Sequence, residues 1–187
     1  MARDRLLDAA EACFERSGIS KTTVEDIAKQ ASVSRATVYR YFAGRDAVVS
    51  GVILRATERY LERVRGRVEA QPDLGSAILE FVEVTVRAAH RDETIALLFT
   101  SDDSLNSVGI IQGTSVALFE MVAEFLRPLF VTHSDEHRPG LPIDDATEWI
   151  LRCILSLLTV GGPKRRSREG LDTYLRRFLL PPIIADS

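Results

Sequence analysis

The sequence predicts an all-α fold: an N-terminal three-helix unit containing a helix-turn-helix, joined by one long helix to a larger helical part, about nine helices in total. Three observations lead there. Apolar residues recur at helical spacing in nearly every segment, beginning with Leu7, Ala10 and Phe14. No segment alternates convincingly between polar and apolar residues as a half-buried strand does. Finally, residues 22–45 hold two short apolar patterns, each opened by a hydroxyl side chain and separated by a three-residue turn.

The first helix is expected from about Arg3 to Ser17, with Gly18 as a left-handed cap. Thr23 then suits an N-cap, with Glu25 and Asp26 in the first turn where the helix dipole favours negative charge; Thr22 with Glu25 is a rival capping box. That helix carries Ile27, Ala28 and Ala31 on one side and stops at Ser32-Val33. Ser34 opens the next helix, in which Val38 and Phe42 share the inner face and leave Arg35, Thr37, Tyr39, Arg40 and Tyr41 on the remaining arc. An α-helix fits the DNA major groove, where arginine pairs bidentately with guanine, a threonine methyl meets a thymine methyl and tyrosine hydroxyls reach phosphates. An ordinary amphipathic helix also shows a charged outer face. Two tyrosines and two arginines within eight residues favour a DNA reader over that plainer reading.

These residues carry a family resemblance. Thr23-Val-Glu-Asp-Ile-Ala, Ala31-Ser-Val-Ser-Arg-Ala-Thr-Val-Tyr-Arg-Tyr-Phe and Gly44-Arg45-Asp46 resemble the DNA-binding domain of the tetracycline-repressor (TetR) family, over roughly Arg3 to Val49. Two positions depart from the family pattern. Ser32 stands where glycine is usual, at a cost of about 1–2 kcal/mol if its backbone is left-handed, and Arg45 replaces the usual lysine, keeping the charge. The resemblance implies a DNA-binding domain at 1–46 and a helical ligand-binding and dimerisation domain at 47–187. By the family register, Arg35, Thr37 and Tyr41 contact base edges, while Thr23, Ser34, Tyr39, Arg40 and Arg45 sit on phosphates. The implied function is a ligand-responsive transcriptional regulator, a repressor that binds a palindromic operator as a homodimer and is released by a small, mostly apolar effector. A DNA-binding architectural protein without an effector is the alternative.

Beyond the reader, Gly44 is an acceptable N-cap for the long helix, expected from Arg45 to about Ala70 with Val48, Val52, Ala56, Tyr60 and Val64 inside and Arg55, Glu58, Arg59, Glu62, Arg63 and Arg65 outside. Gln71-Pro72-Asp73 breaks it. A further helix has Ile78, Phe81, Val82, Thr85, Ala88 and Ala89 inside, and a shorter one holds Ile95, Leu98 and Phe99. The next is expected from about Ser107 to Arg127, with Val116, Phe119, Val122 and Leu126 inside, followed by a disordered polar loop from Pro128 to Pro142. Asp144 is placed to cap a helix running to Val160 that is apolar nearly all round, and Ser167 to cap a last one. The dimer interface is expected on these two helices, from Trp149, Leu151, Ile154, Leu155, Leu158, Leu171, Tyr174, Leu175 and Phe178. An effector pocket is expected among Phe81, Thr85, Phe99, Phe119 and Trp149, where large apolar side chains surround one polar handle.

Composition narrows the classes. A net charge of −3 argues against indiscriminate polyanion binding, yet residues 1–48 hold 8 basic and 7 acidic residues against 16 and 20 in the remainder, so a local basic face is available. Arginine outnumbers lysine 21 to 3, a hint of a GC-rich bacterial genome. No signal-peptide pattern or membrane-length apolar run is present, so a cytoplasmic location is expected. Cys13 and Cys153 lie within apolar helical patterns and read as buried thiols. His133 and His137 are four apart, but flanking prolines favour a polar loop over a metal site. No catalytic residues, metal or cofactor are expected, since the chain has no nucleophile elbow, phosphate-binding glycine loop or zinc helix.

Overall fold

The computed structural model describes residues 2–90, 108–160 and 166–185, with the backbone alone for 108–115. Among the described residues there are eight helices and no strand beyond one isolated bridge, His137 with Ile184. They are α1 (Ala2–Ser17), α2 (Val24–Gln30), α3 (Arg35–Tyr41), α4 (Arg45–Glu69), α5 (Leu74–Ala89), α6 (Val108–Thr132), α7 (Ile143–Thr159) and α8 (Arg168–Phe178). The helix expected around Ile95, Leu98 and Phe99 lies outside the described residues. The described residues fall into two compact units, divided between Ala56 and Thr57 and again between Ala117 and Leu118. Helix α4 runs through that division without a break.

In the first unit the local signals act as the sequence suggests. Gly18 has φ 79° and its N–H donates to the Phe14 carbonyl at 2.8 Å, ending α1. Thr23 is the N-cap of α2: its hydroxyl accepts from the Asp26 N–H, while the Asp26 carboxylate accepts from the Thr23 N–H at 2.9 Å. The rival box of Thr22 with Glu25 does not form, because the buried Thr22 hydroxyl donates to the Gly18 carbonyl at 2.8 Å. Ser32 is left-handed at φ 54°, so the non-glycine residue at this turn does carry the strain expected of it. Leu6, Leu7, Ala10, Ile27, Ala28, Val38, Phe42, Val48 and Val52 close one core. Gly51 lets α4 come close to it, since a Cβ there would stand 3.0 Å from both Leu7 and Phe42.

Arg55 departs from expectation. It is not part of a solvated face: its side chain is only 12% exposed and pairs with Asp8 at 2.7 Å and Glu11 at 2.8 Å, tying α4 to α1. A long cationic side chain at a helix-helix seam can lay its stem over apolar neighbours while its head meets acids. Sequence spacing along α4 alone could not reveal those acids, which come from another helix.

The second unit is built around Phe81, Phe130, Leu74, Ile78, Leu126, Ile150, Ile154, Leu175 and Leu179, all nearly inaccessible. Two carboxylates serve the start of α5. Asp73 accepts from the Ser76 N–H at 2.6 Å, and Glu136, far along the chain, accepts from the Leu74 N–H at 2.7 Å. Helix α6 continues through Pro128 to Thr132, correcting the loop expected from that proline. An internal proline forfeits a backbone hydrogen bond and costs about 3 kcal/mol, and burial of Leu129 and Phe130 immediately after it offsets that loss. The following turn is ordered as well. His133 Nδ1 lies 2.8 Å from Glu136, Arg138 N–H donates to the Ile183 carbonyl at 2.7 Å, and Ala185 N–H donates to that of Glu136 at 2.9 Å. The segment expected to be a disordered loop is therefore the seat of the C-terminal residues.

Two smaller corrections concern α6 and α7. Val116 is exposed rather than inward. Asp144 does not cap α7; the N-cap is Pro142, without a side-chain hydrogen bond, and Asp144 and Asp145 lie in the first turn. Proline fixes φ near the value a helix entry tolerates and has no N–H to satisfy.

Candidate nucleic-acid interface

The geometry of α3 follows from its caps and its two anchors. Ser34 accepts from the Thr37 N–H at 3.2 Å and starts the helix, and Val38 and Phe42 pin one side into the core at 0% and 5% exposure. Arg35, Tyr39, Arg40 and Tyr41 consequently face solvent, with Thr37 half-buried beside Ser34. Tyr39 is 49% and Tyr41 39% exposed, so both rings are accessible beside the arginines. The Arg40 guanidinium lies over the Tyr41 ring. Thr23 and Ser34 are both exposed at the starts of their helices.

Two arginines have partners that spacing did not announce. Arg35 pairs with Glu25 of α2, and a hydrogen bond with Tyr39 followed by that carboxylate pushes its already high pKa further up, holding it charged. Arg45 donates from Nε to the Thr22 carbonyl at 2.9 Å and from a terminal nitrogen to that of Ile19, and it pairs with Asp46 at 3.4 Å. It thus fastens the start of α4 to the loop between α1 and α2.

Residues 6–52, the segment that builds this capped pair of helices and its supporting core, match the profile of bacterial regulatory proteins of the tetR family. The likeness to the TetR family rests on this segment. An HTH-type transcriptional regulator of Mycobacterium tuberculosis is 29% identical over 183 residues, 97% of this chain and 85% of that protein. Among solved structures, the TetR-family repressor FadR of Thermus thermophilus, in complex with lauroyl-CoA, has a TM-score of 0.69 at 22% identity, covering 99% of this chain and 96% of that one. The TetR-family repressor AlkX of a Dietzia strain, implicated in n-alkane biodegradation, has a TM-score of 0.64 at 22% identity, covering 99% of each chain. The relatives named HTH-type transcriptional regulators include UidR of Escherichia coli, 24% identical over 126 residues, 67% of this chain and 64% of that protein. No described helix is long and apolar enough to cross a membrane.

The residues expected at the other two sites scatter. Of the effector set, Phe81 and Thr85 are enclosed at 1% and 3% exposure in the core of the second unit. Phe81 packs its ring 5.2 Å from that of Phe125, and the Thr85 hydroxyl accepts from Tyr60 at 2.8 Å while donating to the Phe81 carbonyl at 2.7 Å. Burial pushes the Tyr60 phenol up to about 12, against the lowering effect of the Thr85 bond. Phe119 is half-buried, Trp149 is 38% exposed with its indole N–H donating to the Leu179 carbonyl, and Phe99 lies outside the described residues. The polar handle expected of Thr85 is therefore already engaged within the chain.

Of the interface set, Ile154 and Leu175 are fully enclosed in their own chain's core, which corrects the expectation that they face a partner. The intermediate positions Leu151, Leu158, Leu171 and Tyr174 pack against that core, and Trp149, Leu155 and Phe178 remain exposed at 38%, 40% and 54%. A cleft of about 280 Å³ that sequence reasoning missed lies where the end of α5 meets the start of α8, and none of the four described effector candidates, Phe81, Thr85, Phe119 and Trp149, lines it.

Proposed function

We propose that this chain is a TetR-family regulator, a cytoplasmic, homodimeric repressor that binds a palindromic operator through α3 and is released by a small-molecule effector held within the helical domain of residues 47–187. The observation that carries this reading is the exposed face of α3, polar and basic, on a helix fixed by Ser34, Val38 and Phe42. Arg35, Thr37 and Tyr41 read base edges in the major groove. Thr23, Ser34, Tyr39, Arg40 and Arg45 position the protein on phosphates, Arg45 acting through the N–H groups left over from its carbonyl bonds.

Trp149, Leu155 and Phe178, joined by the outer edges of Leu151, Leu158, Leu171 and Tyr174, form the surface that a second copy covers. A two-fold dimer presents two α3 helices to half-sites at least one helical turn apart, about 34–36 Å. The effector is small and mostly apolar; of the lauroyl-CoA bound to the FadR neighbour, only the acyl chain has that character. Helix α4 is continuous from the reader into the second unit, so an effector that favours a different tilt of α4 moves α3 out of register. An architectural protein without an effector would lack that coupling.

Sedimentation and fluorescence anisotropy on a selected operator test the scheme. A dimer at micromolar concentration is expected, with Arg35→Ala weakening the cognate site by about 1–3 kcal/mol and relaxing its sequence preference. A stable monomer, or unchanged operator binding by Arg35→Ala, contradicts it.

A further inference from the structure

The cleft at the end of α5 is unlike the core beside it, because arginines converge there. The Glu83 side chain is only 7% exposed, and its Oε2 accepts from Arg87 at 3.4 Å and from Arg168 of α8 at 3.3 Å. Arg166 borders the same space with its guanidinium 4.0 Å from the Tyr174 ring centroid, and His90 closes another side. Among the described lining residues, one carboxylate stands with three arginines, two of them bonded to it, an excess of two formal positive charges before His90 is counted. Val86 and Leu171 supply an apolar wall next to them.

Glu83 alone does not account for that arrangement. A carboxylate needs one forked guanidinium for bidentate pairing, and here two share a single oxygen at the long end of the hydrogen-bond range, leaving most of their N–H groups directed elsewhere. Burial of an acid brings the two arginines together, and the surplus charge suits a second acid supplied from outside. We infer that this cleft binds the anionic head of an amphipathic ligand, a phosphate or carboxylate, with its aliphatic stem against Val86 and Leu171. This rests on the effector reading above and names the ligand's chemical class. It differs from a wholly apolar effector in requiring a charged head.

Titration calorimetry of the full chain with octyl phosphate, octanoate and octanol tests the site. Binding of at least one of the two anions is expected, with octanol weaker by about tenfold or more, the worth of one charge-assisted hydrogen bond. Preference for octyl phosphate assigns a phosphate head and preference for octanoate a carboxylate. Arg87→Gln and Arg168→Gln should each weaken the bound anion about tenfold. Where loss of a Glu83 partner impairs folding, Arg166→Gln carries the same expectation, since Arg166 has no bond to Glu83 among those described. Glu83→Gln removes the competing carboxylate and should tighten the anion, a gain that a purely structural ion-pair cluster does not give. Binding of neither anion, octanol binding as tightly as the anions, or a Glu83→Gln chain that binds more weakly overturns the inference. Adding the bound anion to the operator complex separates the two readings: binding without release leaves the anion site standing and removes its effector role, whereas release by octanol alone keeps an effector and removes this site.

Discussion

Tyr39 and Tyr41 of α3 stand in solvent, whereas Phe81 and Phe130 of the second unit are sealed at 1% exposure, although all four sit on amphipathic helices at similar spacing. The contrast teaches what helical periodicity can and cannot reveal. It separates most inner from outer positions in both units, with Val116 and Arg55 the exceptions. It does not say whether an inward aromatic lines a cavity or fills it, and that was the step taken for Phe81 and Thr85. In the first unit the outward side chains have polar ends and sit on a helix whose start is fixed by Ser34, an arrangement that suits the DNA contacts proposed for them.

The sharpest way to break this contrast is to truncate one of the enclosed rings. Phe81→Ala should destabilise the chain by about 3–5 kcal/mol in urea denaturation, as large-to-small changes in a packed core do. A loss below about 1 kcal/mol would mean that Phe81 borders open space, returning it to the effector set.

Tyr60 offers a second test of enclosure. Its pKa is raised from 10.0 to about 12, so the folded state holds the proton more tightly than the unfolded chain. The stability from the neutral phenol is intact below pH 10 and is lost as pH rises from there through about 12, in total roughly 2–3 kcal/mol. Tyr60→Phe should flatten that part of the stability profile, and an equally steep decline in the variant would contradict the assignment.

Arg45 and Arg40 separate anchoring from DNA contact within the first unit. Arg45→Ala removes hydrogen bonds to two carbonyls and should cost about 1.5–3 kcal/mol of stability as well as operator affinity. Arg40→Ala should weaken operator binding and flatten its salt dependence with the melting temperature unchanged. Equal melting temperatures for the two variants would place Arg45 with Arg40 as a pure DNA contact.

The smallest effect is expected at Ser32. With φ at 54°, Ser32→Gly relieves left-handed strain at some cost in unfolded-chain entropy, a net gain of about 0.5–1 kcal/mol. A loss of stability on that change would mean that the serine side chain supports the turn.

How much of this was legible in the sequence depended on whether the cause was local. Gly18, Thr23, Ser34 and Ser167 act within three or four residues of themselves, and each ends or starts its helix as read. The rival box of Thr22 with Glu25 lost to competition, since Asp26 closes the box with Thr23 and the Thr22 hydroxyl is drawn to Gly18. Long-range partners left no local trace. Glu136 reaches the start of α5 across 62 residues, Arg55 reaches α1 across more than 40, and Glu83 gathers Arg168 from 85 residues away. The candidate cleft was hidden for the same reason, since its charges come from two helices distant in sequence.

The central claim, that two copies of α3 read DNA with Arg35, Thr37 and Tyr41, is tested most directly by selecting bound sequences from a random DNA pool with the unaltered chain and with Arg35→Ala. The expected result is an enriched palindrome whose half-site centres lie at least one helical turn, about 10 base pairs, apart, with degeneracy appearing at one position per half-site in the variant. Enrichment of a single asymmetric site, no enrichment at all, or an identical palindrome from both proteins would contradict it.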